Sequence, residues 1–133
     1  MNIEHIAIWT DDLEALKNYY SQFFKGRPNE KYINRSKSFE SYFLSFESGA
    51  RLEIMKMPGI PPTKNDTMHQ QHLGIIHLAF GVKTMQEVNE KAKELELAGF
   101  PILSGPRKTG DGYYEFETLD PGGNRIEVTT LYK

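Results

Sequence analysis

The sequence predicts an α+β fold built from two βαβββ modules in tandem. Three observations carry that prediction. His5-Ile-Ala-Ile-Trp9 and His77-Leu-Ala-Phe-Gly81 are strand-like segments, and each is followed by a helical pattern. Each half then reaches a strand-like segment holding a glutamate: Arg51-Leu-Glu-Ile-Met55 places Glu53 48 residues after His5, and Arg125-Ile-Glu-Val-Thr129 places Glu127 50 residues after His77. Just ahead of each lies an aromatic strand, Tyr42-Phe-Leu-Ser-Phe-Glu47 or Tyr113-Tyr-Glu-Phe-Glu117. One copy alone is too small to bury an ample core, so the 133 residues are expected to form a single domain. Module one spans about 1–57, a connection about 58–73, and module two about 74–133.

Each element has a local cause. Residues 3–9 read as a strand. Asp11 with Glu14 has the spacing of a capping box for a helix running to Phe24, and Gly26 suits the stop after it. Leu13, Leu16, Tyr20, Phe23 and Phe24 recur at helical spacing and give that helix an apolar stripe. Strands are expected near 29–34, 39–47 and 51–57. Pro58-Gly-Ile-Pro-Pro-Thr-Lys-Asn-Asp is a breaker-rich connection. The second copy begins with a strand at 75–82. Thr84 with Glu87 caps a helix to about Ala98, Gly99 ends it, and Val88, Ala92 and Leu95 form its buried stripe. Strands follow near 101–104, 112–119 and 124–131, the last two joined by the tight turn Asp120-Pro-Gly-Gly-Asn124.

Composition narrows the function classes. The net charge of −2 offers no basic surplus for phosphates, so nucleic acid is not an expected partner. No apolar run approaches the roughly 18 residues of a membrane span. The first residues, MNIEHIAIWTDD, carry no basic leader followed by an apolar stretch, so a cytoplasmic location is expected. Without cysteine there are no disulfides, thiolate metal sites or thiol nucleophiles. Any metal must be held by His, Asp and Glu. No GxGxxG follows a strand and opens a helix, and no GxSxG elbow is present.

Strand side chains alternate between faces, and the same division occurs four times. Ile6 and Ile8 oppose His5, Ala7 and Trp9. Leu52 and Ile54 oppose Arg51, Glu53 and Met55. Ile76, Leu78, Phe80 and Val82 oppose Ile75, His77 and Ala79. Ile126 and Val128 oppose Arg125, Glu127 and Thr129. The aliphatic face can cover the helix of its own half, while the other carries one potential ligand per strand. Taken singly, each His or Glu reads as an ordinary polar strand residue. Four equivalent positions in two copies favour a shared site of two imidazoles and two carboxylates. That set suits one divalent ion (Zn, Ni, Co, Fe or Mn) with two positions left for water or substrate. A buried glutamate pair without a cation would repel and cost desolvation, which a metal relieves.

Trp9, Met55, Met57 and Tyr114 can line a pocket, although such residues on strands are more often core. Arg51 and Arg125 share faces with the ligand candidates. They could hold an anionic substrate or equally pair with Glu115 or Glu117. His69-Gln-Gln-His72, next to Asp66, reads as a solvated part of the connection.

At these residues the chain resembles the vicinal oxygen chelate superfamily: glyoxalase I, methylmalonyl-CoA epimerase, extradiol dioxygenases, fosfomycin-modifying enzymes and bleomycin-binding proteins. The resemblance covers nearly the whole chain. It is carried by His5-Ile-Ala-Ile with Asp-Asp-Leu after it, Arg51-Leu-Glu53-Ile, His77-Leu-Ala-Phe, and most specifically Leu119-Asp-Pro-Gly-Gly-Asn-Arg-Ile-Glu127-Val. It implies paired modules forming a curled mixed sheet around a cleft, with His5, Glu53, His77 and Glu127 as metal ligands. It also implies a homodimer with sites across its interface, and a small carbonyl substrate. Extradiol dioxygenases use two His and one Glu, and bleomycin-binding relatives lack the metal residues, whereas glyoxalase I and the epimerase use four such ligands. The implied chemistry is lyase or isomerase: proton abstraction next to a carbonyl, with Glu127 as first choice for base and Glu53 able to act on the opposite face. Small-molecule sequestration, dioxygenase and thiol transferase are the alternatives. Where short glyoxalase I chains hold a glutathione carboxylate with Arg, four residues after the first His, this chain has Trp9, and Ile54-Met-Lys-Met57 replaces the usual polar residues. Those departures imply a less polar substrate.

Overall fold

The computed structural model describes residues 1–63 and 68–132. Residues 64–67 of the expected connection, Asp66 among them, lie outside the described residues. The chain divides into two compact units, Met1–Pro62 and Thr63–Lys133. Each is α+β with its own mixed sheet. Among the described residues, no helix is long and apolar enough to cross a membrane.

The first unit runs β1 (His5–Trp9), α1 (Leu13–Phe24), β2 (Arg27–Pro28), β3 (Tyr32–Asn34), β4 (Phe39–Ser45) and β5 (Arg51–Lys56). Its sheet has the order β1-β5-β4-β2, with β3 also on β4; β1 is parallel to β5, and the other pairs are antiparallel. Helix α1 buries Leu13, Leu16, Tyr19, Tyr20 and Phe23, and β4 and β5 bury Tyr42, Leu44, Leu52 and Ile54.

Three expectations for this unit need correction. The N-cap is Asp12, not Asp11: its Oδ1 accepts the Ala15 N–H at 3.1 Å. Thr10 moves the start one residue on, because its hydroxyl accepts the Asp12 N–H at 3.1 Å. Glu14 is drawn instead to Lys31 at 2.7 Å and to the Tyr42 hydroxyl at 2.9 Å, so no capping box forms. The left-handed residue after α1 is Lys25, with φ of 57°. Gly26 sits in a tight space: a Cβ there would lie 3.0 Å from the Tyr20 carbonyl oxygen and from Leu44 Cδ2, and 3.1 Å from Phe46 Cε1, so these neighbours would have to give way. Of the strand expected at 29–34 only β3, at 32–34, forms, and the short β2 precedes it at 27–28. Asn29 pairs with Phe43 through its backbone N–H and its side-chain oxygen, both at 2.9 Å, and Tyr32 is next in register with Ser41. One extra residue thus stands against β4, as in a bulge.

The second unit runs β6 (His77–Gly81), α2 (Met85–Leu97), β7 (Ile102–Lys108), β8 (Tyr113–Leu119) and β9 (Arg125–Leu131), with sheet order β6-β9-β8-β7. Here the βαβββ plan is followed without a break. The Thr84–Glu87 capping box forms in both directions, and Val88, Ala92 and Leu95 are buried. Gly99 terminates α2 with φ of 94°. Strand β7 continues four residues beyond the expected end, with register shifts against β8 on either side of Ser104. At Gly105 a Cβ would lie 2.5 Å from the Glu115 carbonyl oxygen, so only glycine fits this bulge. In the 120–124 turn the Asp120 carboxylate accepts the Gly122 and Asn124 backbone N–H groups at 2.8 and 2.9 Å. That clasp fixes the β8–β9 register in which Glu117 lies opposite Glu127.

Candidate metal centre

Both units build the same His–Glu diagonal. Parallel pairing places His5 beside Arg51 and Ala7 beside Glu53. In the second unit it places His77 beside Arg125 and Ala79 beside Glu127. The small alanine leaves each imidazole room to reach the glutamate one rung along the neighbouring strand. His5 Nε2 lies 3.9 Å from Glu53 Oε1, and His77 Nε2 lies 3.1 Å from Glu127 Oε2. The fourfold alternation read from the sequence thus becomes two side-chain pairs, each on the sheet face away from its helix.

The surroundings of the two pairs differ. In the first unit Phe43 lies opposite Glu53. The His5 and Phe43 rings meet edge to face at 5.4 Å, and the Arg51 guanidinium lies over the Phe43 ring at 4.2 Å. Arg51 also donates from Nε to Glu4 at 2.9 Å, which holds the Glu4 carboxyl at about 2. Arg51 thus takes a carboxylate partner within its own unit. Trp9 pairs in register with Met55 and meets Phe39 edge to face at 6.0 Å, so an exposed indole stands beside half-buried Met55 and Phe39 beyond the His–Glu pair.

In the second unit the residue opposite Glu127 is Glu117, and Glu115 follows on the same face. Arg125 is buried and donates from Nη1 to Glu117 at 2.5 Å, so this arginine does take one of the two expected partners. Arg107 lies 4.0 Å from Glu115, which also accepts the Thr129 hydroxyl at 3.2 Å. Burial, then the charges of Glu115 and Glu117, push the Glu127 carboxyl up to about 7, with Arg107 opposing them. A ligand atom from each of His77, Glu117 and Glu127 lies within 4.8 Å of the others. Such a set of imidazole and carboxylate donors fits a divalent first-row ion. Tyr114 is not on this face. It lies on the α2 side, where its hydroxyl donates to Asn89 Oδ1 at 2.7 Å.

Sequence reading passed over Glu117 as a neighbour of Glu127, although folding the 120–124 turn back on itself aligns the two. Nothing local marks Phe43, which reads as another apolar strand residue.

Known proteins share this architecture. Over 129 residues the chain is 24% identical to the uncharacterized protein YqjT of Bacillus subtilis (strain 168), covering 95% of this chain and 96% of that one. A glyoxylase/bleomycin resistance protein/dioxygenase domain from Frankia sp. EAN1pec superposes with a TM-score of 0.80 at 14% identity, over 99% of this chain and 98% of that one. The trypanothione-dependent glyoxalase I of Leishmania major gives 0.76 at 21% identity, over 98% and 86%. A glyoxalase family protein from Enterococcus faecalis gives 0.76 at 24% identity, over 96% of each. These likenesses establish the fold. Residues 2–128 match the family itself, and the chain belongs to the glyoxalase/bleomycin resistance protein/dioxygenase superfamily.

Proposed function

We propose that the protein is a divalent-metal-dependent lyase or isomerase that abstracts a proton next to the carbonyl of a small substrate. The observation that carries this reading is the repeated diagonal, His5 with Glu53 and His77 with Glu127, built on the same strand register in both units. In this reading these four side chains are the metal ligands, in a cytoplasmic homodimer. The ion, when bound, supplies Lewis-acid stabilisation of negative charge on the substrate oxygen. Glu127 removes the proton as general base, and Glu53 is able to return it on the other side. The two histidines supply imidazole nitrogens beside the carboxylates. Arg51 and Arg125, engaged with Glu4 and Glu117, set the charge around the pairs and do not serve as free anion grips.

Trp9, Phe39 and Met55 favour a substrate with an apolar or flat group over one held by its charge. The same surface supports a second reading, sequestration of a small aromatic molecule without turnover. The test is turnover of the glutathione hemithioacetals of methylglyoxal and phenylglyoxal by metal-loaded protein. Turnover that disappears on chelation and returns with metal is the expected result. Quenching of Trp9 fluorescence by the phenyl compound with no turnover of either would instead favour sequestration.

A further inference from the structure

The two units differ in one respect that bears on the choice of ligand. Opposite Glu53, strand β4 offers Phe43, which cannot ligate. Opposite Glu127, strand β8 offers Glu117, whose carboxylate is close enough to both His77 and Glu127 to compete for the same ion. Arg125 stands where this competition can be settled. It is on β9, two residues before Glu127 and on the same face, with its side chain 7% exposed and its Nη1 2.5 Å from Glu117 Oε2. The equivalent Arg51 meets no carboxylate on β4; it lies on the Phe43 ring and turns outward to Glu4. The first unit thus shows what this arginine does when the rival carboxylate is missing.

We infer that Arg125 is a positioning residue that withholds Glu117 from the metal and leaves Glu127 as the ligand of its unit. The inference rests on the metal-centre reading above. A guanidinium presents fixed donors to a carboxylate and stays charged at every working pH, so it holds Glu117 whether or not metal is present. A bidentate or bridging Glu117 would add negative charge to the site, tighten the ion and reduce the freedom of Glu127 to move a proton.

Cobalt(II) titration in competition with a chelator tests this on the full chain. Arg125→Met frees Glu117 and is expected to bind cobalt about tenfold more tightly, because ligand charge sets affinity in carboxylate sites. Adding Glu117→Gln should return the affinity to within about threefold of wild type, since a buried ion pair can be replaced by neutral side chains at little cost. A merely structural arginine would give weaker binding in the single variant and no reversal in the double. The inference is overturned if folded Arg125→Met binds no more tightly, or if the double variant loses tenfold or more, which would make Glu117 itself a ligand. Should Arg125→Met not fold, the double variant decides alone. Wild-type protein that takes up no cobalt overturns the metal-centre reading as well, which separates the two failures.

Discussion

Glu127→Gln is expected to lower turnover by about 10²–10⁴-fold, the usual worth of a general base such as the one proposed, while the protein keeps much of its metal. The amide retains an oxygen that can ligate but has no basic site for the proton. Retained wild-type turnover would remove Glu127 from the mechanism. The same variant has a second readout in metal-free protein. The Glu127 carboxyl is raised to about 7 in the fold, against 4.5 for the ordinary group. Between those values the folded chain holds a proton that the unfolded chain has released, so the contribution of this group to stability falls as pH rises from about 4.5 to 7. Glu115, Glu117, Arg107, Arg125 and His77 all face it, and the two carboxylates oppose its ionisation. Glu127→Gln should flatten that part of the pH profile of metal-free stability, measured by urea unfolding. An unchanged slope would contradict the electrostatic account.

Phe116→Ala is expected to destabilise the fold by about 3–5 kcal/mol. Phe116 is 1% exposed and lies on the α2 side of β8, between Glu115 and Glu117 in sequence and opposite Val128. Its ring fills the space beneath the strand that carries Glu115 and Glu117, so the cavity left by alanine loosens both the core and the platform of the site. Chemical denaturation at neutral pH gives the number directly. A loss under 1 kcal/mol would mean that this part of the core collapses to fill the space.

Much of the architecture was legible because it rests on short-range rules. The Thr84–Glu87 box, the Gly99 stop and the Asp120–Asn124 turn each depend on residues a few positions apart, and each forms as expected. The alternating faces of four strands were equally legible, since period two needs only the strand itself. The misreadings came from tertiary competition. Asp12 displaced Asp11 because Thr10 folds over the helix start, and Glu14 left its capping role for Lys31 and Tyr42 across the unit. Strand β8 places Tyr114 with Phe116 and Thr118 on the helix side, which only the register reveals. The arginine partners needed the register: Glu117 against Glu127 follows from a turn, but Glu4 reaching Arg51 follows from the parallel pairing of β1 with β5.

His5, Glu53, His77 and Glu127 are the proposed metal ligands. The most direct measurement is metal content per chain, by elemental analysis after equilibration with zinc or nickel and gel filtration, for wild type, His5→Ala and His77→Ala. One ion per chain in the wild type and loss of most of it in either variant are expected. Full occupancy in His5→Ala alongside an empty His77→Ala would place the ion on the second unit alone and remove His5 from the ligand set.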